Sequence, residues 1–182
     1  FDQSIQRIGF CCKYLEADQT LPKKVLEEAQ RPYNTRSTTI TWLNRQDKDV
    51  AEQRLWDLMV HNIQSYYKLV EYTGSLIPQR RMVRLGSDCL PAFTEKDWSY
   101  FWQKPDVQAY CEKEFIKVGD LARKLDVKLS FHPGQFCVLA SDNPDVVERS
   151  IEEFEYHVSM ARWMGYGKQF QDFKCNVHIS GR

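Results

Sequence analysis

The chain predicts an α/β fold, read as the first half of a TIM (β/α)8 barrel with about four of its strands, and three observations predict it. Short β-branched runs alternate with long helical stretches. Those stretches are long enough for right-handed crossovers between parallel strands. Polar or small residues gather where four of the short runs end, and in barrels of this kind the carboxyl ends of the strands carry the chemistry. An open doubly wound sheet would share the element order, but Gly9-Phe10-Cys11-Cys12 lacks the glycine spacing of a phosphate loop after a first strand. With 182 residues, 42% of them hydrophobic, the chain is expected to bury one core, as a single domain over residues 1–182.

Taken in order, residues 5–10 make the first strand, and Phe10-Cys11-Cys12-Lys13-Tyr14 leaves two aromatics and a lysine on the loop at its end. Residues 15–44 read as a long loop, broken by Pro22, Pro32, Asn34 and the polar run from Thr35 to Thr39, with a turn of helix at Lys23–Gln30. Long loops inside compact domains are commonly functional. Here Arg31, Arg36 and Arg45, interleaved with Tyr33 and Trp42, suit a phosphate backbone as well as they suit a solvated surface. Between residues 49 and 72, Leu55, Met59, Asn62, Ile63, Tyr66, Leu69 and Val70 recur at helical spacing and predict one buried face, with His61 structural. Gly74 is expected to stop this helix before a second strand at residues 81–85.

A loop with Pro91 and an aromatic segment, Trp98 to Trp102, come next. Behind Pro105, the spacing of Val107, Cys111, Phe115, Val118, Ala122 and Leu125 predicts the clearest helix of the chain. It leads to a third strand, residues 129–131. Asn143-Pro144-Asp145 then supplies a cap, a first-turn proline and a dipole-favourable acid for another helix. Val147, Ile151, Phe154, Val158 and Ala161 form its expected buried stripe, with His157 a hydrogen-bonded helix residue. Gly165 and Gly167 end it before a fourth strand at residues 173–179.

The third strand stops at His132-Pro133-Gly134-Gln135-Phe136. Proline and glycine are expected to hold this turn in one shape, so that His132 points one way and Gln135 and Phe136 another. Ile8-Gly9-Phe10, Arg84-Leu85-Gly86-Ser87-Asp88 with Pro91, the helix opening Asp145-Val146-Val147-Glu148-Arg149-Ser150, and Asn176-Val177-His178 surround it in the chain. In this order the pieces resemble the amino-terminal half of the UV damage endonucleases, across nearly the whole chain. The His-Pro-Gly-Gln motif with the Val-Glu-Arg-Ser helix behind it is the specific part.

The resemblance implies a TIM-barrel nuclease that nicks DNA on the 5′ side of ultraviolet photoproducts and related lesions, using divalent metal ions, typically manganese (Mn2+). It implies His132 and His178 as metal ligands, and Gln135 and Phe136 as the pair that probes damaged double-stranded DNA. Phe10 and Tyr14 occupy places that take part in lesion recognition, and Arg36 is added as a DNA contact. Two departures stand out. The family's histidine shortly after the second strand's proline is missing, which leaves Glu95 as the nearest residue able to bind metal, and the family's further ligands lie beyond Arg182. The remaining half of the barrel is therefore an expected partner, and this chain alone is expected to be a poor enzyme.

Composition narrows the alternatives. Twenty-five basic residues balance twenty-five acidic ones, so any nucleic-acid surface must be local. Six cysteines contain no Cys-x-x-Cys pair, so reduced buried thiols are expected rather than a zinc cluster or disulfides. No apolar run reaches the length of a membrane span. A cytoplasmic, nucleoid-associated location, or a nuclear one in a eukaryote, is expected by default. The chain begins with Phe1 rather than Met and stops four residues after His178, so a partial sequence is expected. Two rival functions share the fold: a metal-dependent barrel sugar isomerase or epimerase, and a non-catalytic half-barrel that binds DNA or a partner.

Overall fold

A computed structural model describes residues 6–134, 136–169 and 173–177 of the chain. Four parallel strands, β1 (Phe10–Cys11), β2 (Met82–Leu85), β3 (Lys128–Phe131) and β4 (Lys174–Cys175), form one sheet in the order β1-β2-β3-β4. Each strand lies beside the one that precedes it in the chain, with no reversal of direction. Between them lie α1 (Lys23–Gln30), α2 (Ile40–Leu43) and α3 (Lys48–Ser75), then α4 (Ser99–Trp102) and α5 (Pro105–Lys124), then α6 (Pro144–Trp163).

Strand alternation divides the sheet's two faces. Val83, Leu85, Leu129 and Phe131 are buried in the core with the inner stripes of α3 and α5. On the opposite face Cys11, Arg84, Ser130 and Lys174 share one register row. The stripe expected for α5 is buried from Val107 to Ala122, and Pro105 opens the helix as its spacing predicts. At α6 the Asn143 side chain accepts a hydrogen bond from the Asp145 N–H at 3.0 Å, and Gly165 follows the helix end with φ of +84°.

Five expectations need correction. The first strand differs from residues 5–10: pairing covers Phe10 and Cys11, and at Gly9 the chain passes so close to Met82 that a Cβ would lie 2.2 Å from the Met82 carbonyl oxygen. Gly74 does not stop α3. It sits inside the helix, where a Cβ would fall 2.4 Å from Leu125 Cδ1, so close packing rather than chain reversal requires glycine there. The buried side of α6 is Ser150, Tyr156, His157 and Met160, whereas Ile151 of the expected stripe is 50% exposed. The strip of residues 35–44 read as loop contains α2, capped by Thr39, whose hydroxyl accepts from the Trp42 N–H. Strand pairing at β4 covers only Lys174 and Cys175 of the expected residues 173–179, since Phe173, Asn176 and Val177 are not in strand; His178 and Ile179, like Ile5 and Gln135, lie outside the described residues.

Candidate functional site

Backbone hydrogen bonds bring the strand exits close together at one end of the sheet. Cys12 N–H donates to the Arg84 carbonyl at 2.7 Å, His132 N–H to Leu85 at 3.2 Å and Asn176 N–H to Phe131 at 3.1 Å. By register Cys12 is level with Leu85 and Phe131, and Gly86 is level with His132, so the exits of β1, β2 and β3 fall within one residue of each other. Cys12 leaves β1 with φ of 66°, and its Sγ comes within 3.8 Å of His132 Nδ1. Burial pushes the Cys12 thiol up from its ordinary pKa, the neighbouring Cys11 adds to this, and the Arg84 guanidinium opposes it.

The turn after His132 is tied at both ends. Pro133 is buried, Cys137 N–H donates to the Gly134 carbonyl at 3.0 Å, and Val138 N–H donates to Ser150 Oγ of α6 at 2.9 Å. Phe136, carried on this turn, is 83% exposed and so does not pack beneath α6. Gly134 has an ordinary φ and nothing within 4 Å of where a Cβ would sit, so the turn itself does not demand a glycine.

Three buried side chains hold the loop after β2, and the periodic reading treated two of them as mere stripe. Asn62 of α3, fully buried, accepts from the Arg36 N–H at 2.7 Å and donates to the carbonyls of Arg36 and Cys89, both at 2.8 Å. Tyr66 donates to the Gly86 carbonyl. Tyr156 of α6 donates to the Ser87 carbonyl and accepts from the Leu90 N–H, each at 2.9 Å. Asn62 thus joins the loops after β1 and β2, a bond reinforced where Thr35 Oγ1 donates to Asp88 Oδ1 at 2.7 Å. A polar residue at a helical core position was the available signal.

Arg36 is exposed on this braced loop. Phe10 and Tyr14 are half-buried among aromatic rings instead: Phe10 meets Tyr72 at 6.2 Å between centroids, and Tyr14 lies 4.5 Å from Tyr33 and 4.9 Å from Tyr72. Glu95 is exposed and lines a groove against α6 with Lys96, Arg149 and Arg162. Among the described residues no three His, Cys, Asp or Glu side chains converge to hold a metal ion. The donors present fit a divalent transition ion in part, since His132 offers one imidazole at the end of β3.

His61 and His157 have structural partners: His61 Nε2 lies 3.1 Å from the Asn34 carbonyl oxygen, and His157 Nδ1 lies 2.6 Å from that of Glu153. Burial pushes the His157 imidazole below its ordinary pKa, the Glu153 hydrogen bond opposes this, and the nearby His132 imidazole adds to it. All six cysteines are free thiols. Among the described residues, no helix is long and apolar enough to cross a membrane.

The family model described as UV-endonuclease UvdE matches residues 7–182. A UV DNA damage endonuclease of Bacillus velezensis is 26% identical over 176 residues, covering 96% of this chain and 48% of the relative. That of Bacillus pumilus is 28% identical over 100 residues, covering 55% of this chain and 29% of the relative. A solved structure, the crystal structure of SacUVDE, superposes with a TM-score of 0.68 at 18% identity, covering 93% of this chain and 48% of that one. The chain spans about half the length of the relatives that it matches over most of its own length.

Proposed function

Because this chain belongs to the UV-endonuclease UvdE family, we propose that it forms the amino-terminal half of a barrel-shaped DNA repair endonuclease, which nicks double-stranded DNA on the 5′ side of ultraviolet photoproducts and related lesions. The observation that carries this reading is the row of strand exits: a histidine stands at the end of β3 beside a tethered turn that offers a bare aromatic ring to solvent.

We read His132 as a ligand for divalent metal, Mn2+ in the first instance, with His178 as its neighbour and Glu95 as a further candidate. When bound, such ions supply a Lewis acid for the phosphodiester and a more acidic water. The chain's own residues bind and orient the substrate. Phe136 stacks on exposed base faces, the Gln135 amide bonds base edges, and Arg36 neutralises a backbone phosphate from a loop already fixed to α3. Phe10 and Tyr14 shape the first loop from beneath, within the Tyr33 and Tyr72 cluster, and through it the lesion surface. The four-strand order without reversal suits a barrel, and relatives about twice as long suit a second half that completes both the sheet and the ligand set.

Nicking of irradiated and intact duplex, with and without Mn2+, tests the reading on a full-length relative-sized polypeptide carrying this sequence. Metal-dependent cutting of irradiated duplex that His132→Ala abolishes is the expected result. Efficient metal-independent cutting, or binding without any cutting, would refute it. The 182-residue chain by itself is expected to nick poorly.

A further inference from the structure

We propose that Cys12 is a positioning residue for His132: its sulfur accepts a hydrogen bond from the imidazole Nδ1–H and so directs Nε2 toward the metal ion. The inference rests on reading His132 as a metal ligand, and its geometry comes from three neighbouring strand exits. Cys12 turns out of β1 at a φ of 66°, a conformation that residues with a side chain rarely adopt, while its N–H stays bonded to the Arg84 carbonyl. That turn sends the side chain sideways toward β3 instead of onward along β1.

Between them stands Gly86, the first residue past β2. A Cβ added there would sit 3.9 Å from Cys12 Cβ and 3.0 Å from Asp88 Oδ1, so a larger residue would crowd the crossing. Cys12 Sγ ends 3.8 Å from His132 Nδ1, within reach of a sulfur hydrogen bond, and the His132 backbone is itself held by Leu85. An imidazole that gives one nitrogen to a metal carries its proton on the other, and a partner for that N–H fixes both tautomer and ring direction. Sulfur is a weak acceptor. The contact therefore orients the ring more than it strengthens the bond to metal.

Proton-detected nitrogen NMR of the chain reads the tautomer directly and needs no metal; His132→Gln identifies the signal among the four histidines. The wild-type chain is expected to hold His132 as the Nδ1–H form, Cys12→Ala to shift it toward the Nε2–H form, and Cys12→Ser to restore it in part. A wild-type His132 in the Nε2–H form, or a Cys12→Ala signal unchanged from wild type, overturns the proposal. If Cys12→Ala fails to fold, the wild-type and Cys12→Ser spectra decide. Calorimetric titration of the full-length polypeptide with Mn2+ should show affinity reduced roughly tenfold in Cys12→Ala. With Co2+ bound, a thiolate charge-transfer band that Cys12→Ala removes would make Cys12 a ligand, which also overturns the proposal. In a full-length polypeptide carrying this sequence, a wild type that binds neither ion defeats the reading of His132 as a ligand, while the tautomer still decides the Cys12–His132 contact.

Discussion

A phenyl ring held in water at the tip of a closed turn gains little for the fold, so whatever Phe136 contributes must come from a partner. At 83% exposure, Phe136→Ala should leave the melting temperature within error while lowering affinity for damaged duplex roughly tenfold, since stacking on one aromatic is worth about 1–3 kcal/mol. A lower melting temperature with an unchanged ratio of damaged to intact binding would assign the ring to packing. His157 gives a second test at this scale. Its folded pKa lies below the unfolded value near 6.5, so an unfolded chain takes up the proton first as pH falls. Its contribution is fully present above about pH 6.5 and declines below it, by at most about 1.4 kcal/mol per pH unit. Glu153, raised by burial, acts with the opposite sign, losing stability as pH rises above the ordinary carboxylate range. Thermal melts should show that His157→Gln flattens the fall below pH 6.5. Single residues were legible where chemistry is local, as with the Asn143 cap. They were not legible at Gly74 and Gly134, because the need for glycine depends on what lies across from it.

Elements obey the same logic, one level up. The spacing of α6 puts Val147, Ile151, Phe154, Val158 and Ala161 on one apolar stripe. The core instead takes Ser150, Tyr156, His157 and Met160, since Tyr156 and Ser150 bond the loops after β2 and β3. Periodicity reports that a helix is amphipathic; the pairing of polar groups chooses the side. Ile151→Asp should therefore cost this chain under about 1 kcal/mol, and Met160→Ala about 2–5 kcal/mol, both measured by urea unfolding. Equal costs would restore the apolar stripe as the buried one. Asn62 of α3 is a sharper case, because it lies fully buried with three hydrogen bonds of 2.8 Å or shorter to two loops. Asn62→Leu leaves the Arg36 N–H and two carbonyls wanting partners, so a loss of about 3 kcal/mol is expected. Hydrogen exchange at Arg36 should accelerate with it, and an unchanged rate would show the loop held by other means.

For the whole molecule, strand order and helix placement were legible because crossover chemistry repeats three times along the chain. The convergence of ligands was not, since His178 and any partner for Glu95 fall outside what the described residues bring together. The sheet has unpaired outer edges at β1 and β4 among the described residues, and the protein carries no net charge near pH 7. Light scattering should therefore show association that grows with concentration and is strongest near neutral pH; a monomer at all concentrations would mean that both edges are covered. The same strand order governs synthesis. β2 meets a partner already made, as do β3 and β4, so the sheet can grow in the direction in which the ribosome releases it. A chain halted after β3 would already hold the neighbouring exits of β1, β2 and β3.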